Sequence, residues 1–203
     1  MNNMYIAIDG PSASGKGTIA KLLGERLNLP VLYTGNIYRA IAYKVIETKC
    51  NLIDAIGVVK LAKQLKLEDM ENPNLVNEKI GQYASIIGAH PQLREATYQF
   101  QRDFIESNDG AVIEGRDIGT VICPEAKYKF YITSDVEVRA KRRCNQYPGL
   151  DYQRILEDLK IRDERDLNRA IAPLKPAEGS IIIDSSLMNV EETMSLILKQ
   201  LEN

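Results

Sequence analysis

The sequence predicts an α/β protein built on a doubly wound, five-stranded parallel sheet. Short, continuous apolar runs of the kind buried on both faces alternate with stretches of helical periodicity. The first such run, Tyr5-Ile6-Ala7-Ile8, passes through a glycine-rich turn into a helical pattern with Ile19, Leu22, Leu23 and Leu27 on one face. A strand–turn–helix unit at the start of the chain is the usual opening of such a sheet.

Taken in order, the first strand covers about Met4 to Asp9, and its helix runs from Lys16 to about Asn28. Pro30 to Tyr33 is a short second strand ending at Thr34-Gly35, before a helix from Asn36 through about Glu47 that carries Tyr38 and Arg39 in its first turns. Asn51 to Leu65 reads as helix, although Ile53, Ile56, Val59 and Leu61 share a face only roughly. Lys66 to Val76 is polar and holds a Pro73-Asn74 turn signal. Asn77 to Ile87 and Pro91 to Ile105 are helical again, with Pro91 suited to a first helical position and Leu93, Thr97, Phe100 and Phe104 forming a stripe. Residues 37–106 therefore read as an insertion between core strands, folded as a movable helical subdomain.

Ala111 to Glu114 is a third strand that opens into Gly115-Arg116-Asp117-Ile118-Gly119-Thr120. Lys129 to Thr133 and Ser180 to Asp184 are the fourth and fifth, and the closing helix puts Val190, Met194, Ile197, Leu198 and Leu201 on one face. Between those two strands lies the most basic part of the chain. Arg139-Ala140-Lys141-Arg142-Arg143 begins it, and Arg154, Arg162, Arg165 and Arg169 continue it among Asp158, Asp163 and Asp166. The whole is one domain, with core 1–36, 107–138 and 170–203, insertion 37–106, and a basic segment 139–169.

Bulk properties narrow the function classes. A chain of 203 residues suffices for one substantial domain, and a net charge of -2 argues against a general nucleic-acid binder. Cys50, Cys123 and Cys144 lack metal-ligand spacing and read as free thiols of a reducing cytosol. With no secretory n-region and no apolar run long enough to span a bilayer, a soluble, cytoplasmic protein is expected.

The turn after the first strand carries the chemistry. Gly10-Pro11-Ser12-Ala13-Ser14-Gly15-Lys16-Gly17-Thr18 has the small residues that let backbone N–H groups wrap an anion, a helix N-terminus behind it, and Lys16 to reach outer phosphates. With glycine near 7 per cent of residues, such a pattern arises by chance in about one chain in a hundred of this length. Its plainer reading is a solvated turn, but the strand before it and the helix after it favour nucleotide binding. Gly17 stands where Ser or Thr usually follows the lysine, and Thr18 comes next. The arginines of 139–169 could be a solvated helix pair laced with ion pairs. Facing a phosphate loop, they are also what phosphoryl transfer needs to neutralise charge and exclude water. His90, the only histidine, reads as a capping or surface residue before Pro91.

Five separated runs, in order, carry a resemblance over nearly the whole chain: Ile8 to Thr18, Thr34 to Arg39, Pro91 to Glu95, Glu114 to Thr120, and Arg162 to Ala170 continuing into Ala172-Pro173-Leu174. On these the chain resembles the nucleoside monophosphate kinases, and within them the bacterial cytidylate kinases, where a Lys-Gly-Thr ending of the phosphate loop is usual. The resemblance implies a P-loop NTPase-type sheet with a helical monophosphate-binding insertion and a mobile lid over 139–169. It implies transfer of the γ-phosphoryl group of ATP to CMP or dCMP, with Mg²⁺; the expected partners are small-molecule nucleotides, with no nucleic acid and no membrane, and the expected form is a monomer. Gly10, Pro11, Ser12, Ala13, Ser14, Gly15, Lys16, Gly17 and Thr18 would cradle the ATP phosphates, with Lys16 stabilising the migrating group and Arg139 belonging to the lid. Arg39, Arg116 and Arg169 match arginines on the acceptor phosphate or the transferring group; Ser85, Arg94 and Asp117 match cytosine-reading positions; Arg162 and Asp166 match positions at the sugar. Thr34 keeps a hydroxyl where serine is common.

Cytosine presents an amino donor beside the N3 and O2 acceptors, so a carboxylate or hydroxyl paired with an arginine complements it. The plainer reading of Asp117 is an ion pair with Arg116 or a helix cap, and Ser85 could be an ordinary helical serine. Mg²⁺ could be held by the phosphates, water and Thr18 or groups beside Gly17, with Asp9 and Glu114 reached through water; no side chain is assigned as its ligand. Relatives usually carry β-strands between the monophosphate helices, and Leu67 to Val76 looks too short for a full small sheet. Other readings are a kinase of another nucleotide, a GTPase-like switch, disfavoured by the lack of an Asn-Lys-x-Asp motif, and a water-driven ATPase, for which Ile113-Glu114-Gly115 is a weak likeness.

Overall fold

The computed structural model describes residues 4–202. The chain divides into two compact units, one made of Met1–Leu32 with Asn108–Asn203 and the other of Tyr33–Ser107. The first holds the sheet. Strands β1 (Met4–Asp9), β2 (Val31–Tyr33), β3 (Gly110–Gly115), β4 (Tyr128–Thr133) and β5 (Ile181–Asp184) lie in the order β2-β3-β1-β4-β5, and the sheet is all parallel. β1 is central, with Asp9 beside Gly115 of β3 and Tyr131 of β4, so three strands end together at the carboxyl edge. Ligand sites of open α/β sheets form outside that edge.

Burial on both faces explains the unbroken apolar strands. Ile6, Ile8, Ile113, Phe130 and Ile132 are fully buried, as are Leu23 of α1 (Lys16–Leu27) and Ile197 of the closing helix Val190–Leu201. β5 has a partner on one side only, and Ile182 stays exposed. α1 stops where Asn28 takes a left-handed conformation at φ 52, a role asparagine tolerates. Between β4 and β5 the basic segment forms two helices, Val136–Gln146 and Tyr152–Leu167, which close over Ala140, Ile155 and Leu159.

The second unit is helical. α2 (Thr34–Glu47) starts two residues earlier than the sequence suggests, because Tyr33 itself makes the turn out of β2. α3 spans only Ala55–Ala62 of the longer helix expected over 51–65. Asp54 caps it by accepting the Gly57 N–H at 3.1 Å, while Asn51 accepts the Ile53 N–H at 3.1 Å and holds the preceding residues in a turn. That start leaves Ile53 and Ile56 exposed at 78% and 84%, which accounts for the ragged stripe. Leu67–Glu71 and Pro73–Val76 are single 3₁₀ turns, and among the described residues no strand forms between Tyr33 and Gly110. α4 (Glu78–Ile87) is capped by Asn77, and α5 (Pro91–Glu106) begins at its proline. Ile37, Ile41, Val45, Val58, Ile87 and Leu93 make this unit's own core. The remaining helices are α6 (Val136–Gln146), α7 (Tyr152–Leu167) and α8 (Val190–Leu201).

Phe130 is among the largest fully buried side chains and sits on a strand paired on both sides. Phe130→Ala should therefore cost about 3–5 kcal/mol of stability by lost transfer energy and a cavity, read as a lowered urea midpoint with an unchanged slope.

Candidate active site

At the end of β1 the backbone turns through conformations that favour glycine. Gly10 has φ +151, and a Cβ there would stand 2.0 Å from the Ile132 carbonyl oxygen of β4, so no side chain fits. Ala13 at φ 60 and Gly15 at φ 88 are left-handed. Left-handed residues set among others are the backbone of an anion nest, where successive N–H groups turn to one side, and the N-terminus of α1 follows directly. Ser14 is buried, and its Oγ has no hydrogen-bond partner. An orphan hydroxyl in a nest of amides fits a phosphate oxygen.

Lys16 is buried with its Nζ donating to the Pro11 carbonyl at 3.0 Å and paired with Glu114 Oε1 at 3.2 Å. Burial and then the nearby Arg116 push its pKa down to about 8, against the pull of Glu114. The amine still carries its proton at neutral pH. Behind it, Asp9 accepts the Ile118 N–H on Oδ1 and the Gly119 N–H on Oδ2, each at 2.8 Å. This bidentate grip ties β1 to the wide turn Ile118–Ile122, whose Val121 and Ile122 N–H groups bond the Asp117 carbonyl. Burial raises the Asp9 pKa to about 7 despite the two amides, helped by the charges of Asp117 and Glu114.

The same unit gathers the guanidinium groups. Arg116 donates from Nε to Asp166 at 2.9 Å and from Nη1 to the Gly115 carbonyl at 3.2 Å. Burial opposes its charge, but Asp166 and Glu114 outweigh burial and raise its pKa. Asp166 is likewise desolvated, yet Arg116, Arg162 and Arg169 together hold its pKa below the ordinary value. These four residues thus form one charge cluster around α7. Arg139 of α6 donates to the Ser134 carbonyl at 2.8 Å, to the Ser12 carbonyl of the phosphate loop at 3.1 Å and to Asp163 at 2.6 Å. Arg142 reaches Ser185 Oγ at 3.1 Å and the carbonyls of Ser185 and Met188 at 2.6 and 3.1 Å, tying α6 to the loop after β5.

In the helical unit, a stripe of α4 with its C-cap Gly88 carries Ser85 and lies against Arg39 and Arg94. Gly81, Ser85 and Gly88 recur at helical spacing. Arg39 of α2 lies against Gly81, and its Nη1 donates to the carbonyls of Leu75 and Asn77. Arg94 donates to the Gly88 carbonyl at 3.2 Å and stacks over the Tyr38 ring at 5.7 Å. Ser85 and Arg94 are buried, as is Thr34 at the start of α2. Tyr38 in turn shares a hydroxyl hydrogen bond with Thr97 at 3.2 Å.

Arg116 pairs with Asp166, and Asp117 stands before the wide turn with no side-chain cap bond there. His90 precedes α5 as its cap residue, but the ring makes no capping bond, and Nδ1 is buried without a partner. Each oxygen of Asp9 accepts one amide, which leaves it a further lone pair. Thr18 is exposed beside the loop. Sequence reasoning did not single out Asp163, although it lies three residues before Asp166 on α7 and so shares its face. Arg142 is legible only as one of the basic run 139–143, and Ser185 leaves no signal, because their pairing across 43 residues belongs to tertiary structure.

A family model described as cytidylate kinase matches residues 6–203. A cytidylate kinase of Bradyrhizobium diazoefficiens is 45% identical over 192 residues, covering 93% of this chain and 91% of its own. One of Bartonella bacilliformis is 44% identical over 200 residues, covering 96% and 93%. Among solved structures, a shikimate kinase from Bacteroides thetaiotaomicron superposes with a TM-score of 0.52 at 13% identity over 98% of this chain and 99% of its own. A gluconokinase from Sinorhizobium meliloti gives 0.53 at 11% over 99% and 93%. At such identities the structural likeness shows the fold, that of the phosphate-loop kinases.

Asp9 gives this site a pH signature. Its folded pKa of about 7 lies above the ordinary 3.8, so its neutral form stabilises the fold at low pH and that contribution is lost as pH rises through the folded value. Comparing wild type with Asp9→Asn, which cannot ionise, the stability difference should move against wild type by roughly 2–3 kcal/mol between pH 5 and pH 8, measured by urea unfolding at each pH.

Proposed function

Because the chain belongs to the cytidylate kinase family, we propose that it transfers the γ-phosphoryl group of ATP to CMP or dCMP, giving CDP or dCDP and ADP. The observation that carries this is the match over residues 6–203. The buried lysine in an anion nest, with a guanidinium cluster in the same unit, supports it. Phosphoryl transfer asks the protein for positioning and charge compensation more than for a base, and these residues are of that kind.

Gly10 to Thr18 hold the ATP phosphates. The nest amides and the Ser14 hydroxyl replace water around them, and Lys16 exchanges its bonds to Pro11 and Glu114 for phosphate oxygens. Mg²⁺, arriving on the nucleotide, supplies further neutralisation of the phosphate charge. Arg139, already bonded to the Ser12 carbonyl, guards the donor side as part of a closing lid over 139–169. Arg39, Arg116 and Arg169 hold the acceptor phosphate or the group in transfer, where planar forks suit oxygen pairs. Arg162 and Asp166 serve the sugar; Asp166, held ionised by its arginines, is an acceptor for a hydroxyl. Thr34 adds a hydroxyl to substrate binding. Ser85, Arg94 and Asp117 read the cytosine. Uracil would set O4 against the Asp117 carboxylate, and an unpaired buried polar group costs about 1–3 kcal/mol, enough for roughly tenfold to hundredfold selection. The working form is a cytoplasmic monomer acting on free nucleotides.

ADP release in a coupled assay with CMP, dCMP, UMP, AMP and dTMP tests the reading directly. Turnover should be fastest with the cytidine nucleotides, and ATP hydrolysed equally fast with and without CMP would overturn it. Lys16→Met should abolish transfer while the circular dichroism spectrum and unfolding transition persist. Asp117→Ala should raise KM for CMP and narrow the CMP-to-UMP ratio of kcat/KM by about tenfold or more.

A further inference from the structure

Gly81 is out of place by local rules. It lies inside α4, where glycine is disfavoured against alanine, and its backbone is not among the positive-φ glycines that require the residue. What a side chain there would meet is Arg39. A Cβ would stand 2.8 Å from Nη2, 3.3 Å from Cζ and 3.4 Å from Nη1, and these are its three nearest neighbours. From the turn that leads into α4, the carbonyls of Leu75 and Asn77 accept from Nη1. The Asn77 carbonyl is held by the Gly81 N–H at 3.0 Å, and the turn Pro73–Val76 that carries Leu75 is capped by Asn72 Oδ1, which accepts the Asn74 N–H at 2.9 Å. The guanidinium therefore lies in a slot with a glycine floor and a wall of backbone oxygens.

We propose that Gly81 is a positioning residue for the acceptor nucleotide, kept without a side chain so that the Arg39 guanidinium can lie flat against α4, oriented by the Leu75 and Asn77 carbonyls, for a two-pronged grip on the monophosphate. This rests on the assignment of Arg39 to the acceptor phosphate made above. It gives the short segment Asn72–Asn77, which carries turns and no strands, a function: it supplies the carbonyl wall. An arginine so placed loses less freedom on binding than one that must be collected from solvent. Alanine at 81 would push the fork by a few tenths of an ångström or more while meeting only the flexible end of a side chain.

The slot separates function from stability, because the same methyl group that displaces Arg39 improves the helix. Purified Gly81→Ala should show KM for CMP raised about tenfold, an unchanged KM for ATP, and a Tm that holds or rises by a few degrees. Arg39→Lys, made in both backgrounds, completes a double-mutant cycle: it should raise KM for CMP strongly in wild type and much less in Gly81→Ala. An unchanged KM for CMP in Gly81→Ala, a rise accompanied by a lowered Tm, or additive effects in the cycle would each overturn the proposal. If Arg39→Lys alone, or wild type with CMP, fails to behave as an acceptor-binding kinase should, it is the assignment of Arg39 or of the reaction that falls. Normal Gly81→Ala kinetics beside an impaired Arg39→Lys would sink the slot alone.

Discussion

Charges withdrawn from water must find one another, and at the carboxyl edge of this sheet that requirement organises the site. Lys16 is buried against Glu114, Arg116 against Asp166, and Arg139 against Asp163. Burial weighs against the charged forms of Lys16, Arg116 and Asp166 more than any other single influence. Arg116 and Asp166, from different elements, each favour the other's charge, and Glu114 draws the Lys16 pKa part of the way back up. Such pairs contribute little net stability, but breaking one leaves a stranded charge. The cluster is thus held in one arrangement by pairs drawn from separate elements.

Asp9 shows the same logic with backbone partners. Its carboxylate is buried at an energetic cost that the two amides of Ile118 and Gly119 only partly offset. In return the turn carrying Arg116 and Asp117 is tied to the strand that opens into the phosphate loop. Geometry at the loop and geometry at the arginines are thereby set by one side chain.

What could be read from the chain beforehand follows from how local each signal is. The phosphate loop was legible because its glycines answer to backbone conformation, and Gly10 proves to be walled in by Ile132. Buried parallel strands and the proline start of α5 were legible for the same reason. The segment 51–65 was overread as one helix, since apolar residues at irregular spacing cannot reveal that Asn51 and Asp54 capture nearby amides and delay the start. That 66–76 forms single turns follows from its own caps, though its grip on Arg39 through bare carbonyls could not be seen in side-chain chemistry. Asp163 was visible in spacing but not singled out; the pairing of Arg116 with Asp166, fifty residues on, belongs to tertiary structure alone.

The register of β1 bears on how the chain is made. The strand is the first to leave the ribosome, yet its neighbours are Gly110–Gly115 and Tyr128–Thr133. At ordinary elongation rates of roughly 5–20 residues per second, its apolar Ile6 and Ile8 wait several seconds for cover. The helical unit Tyr33–Ser107 emerges within that interval and has its own core of near neighbours in sequence, so it can condense first, leaving the nest around Lys16 among the last parts to take shape during biosynthesis.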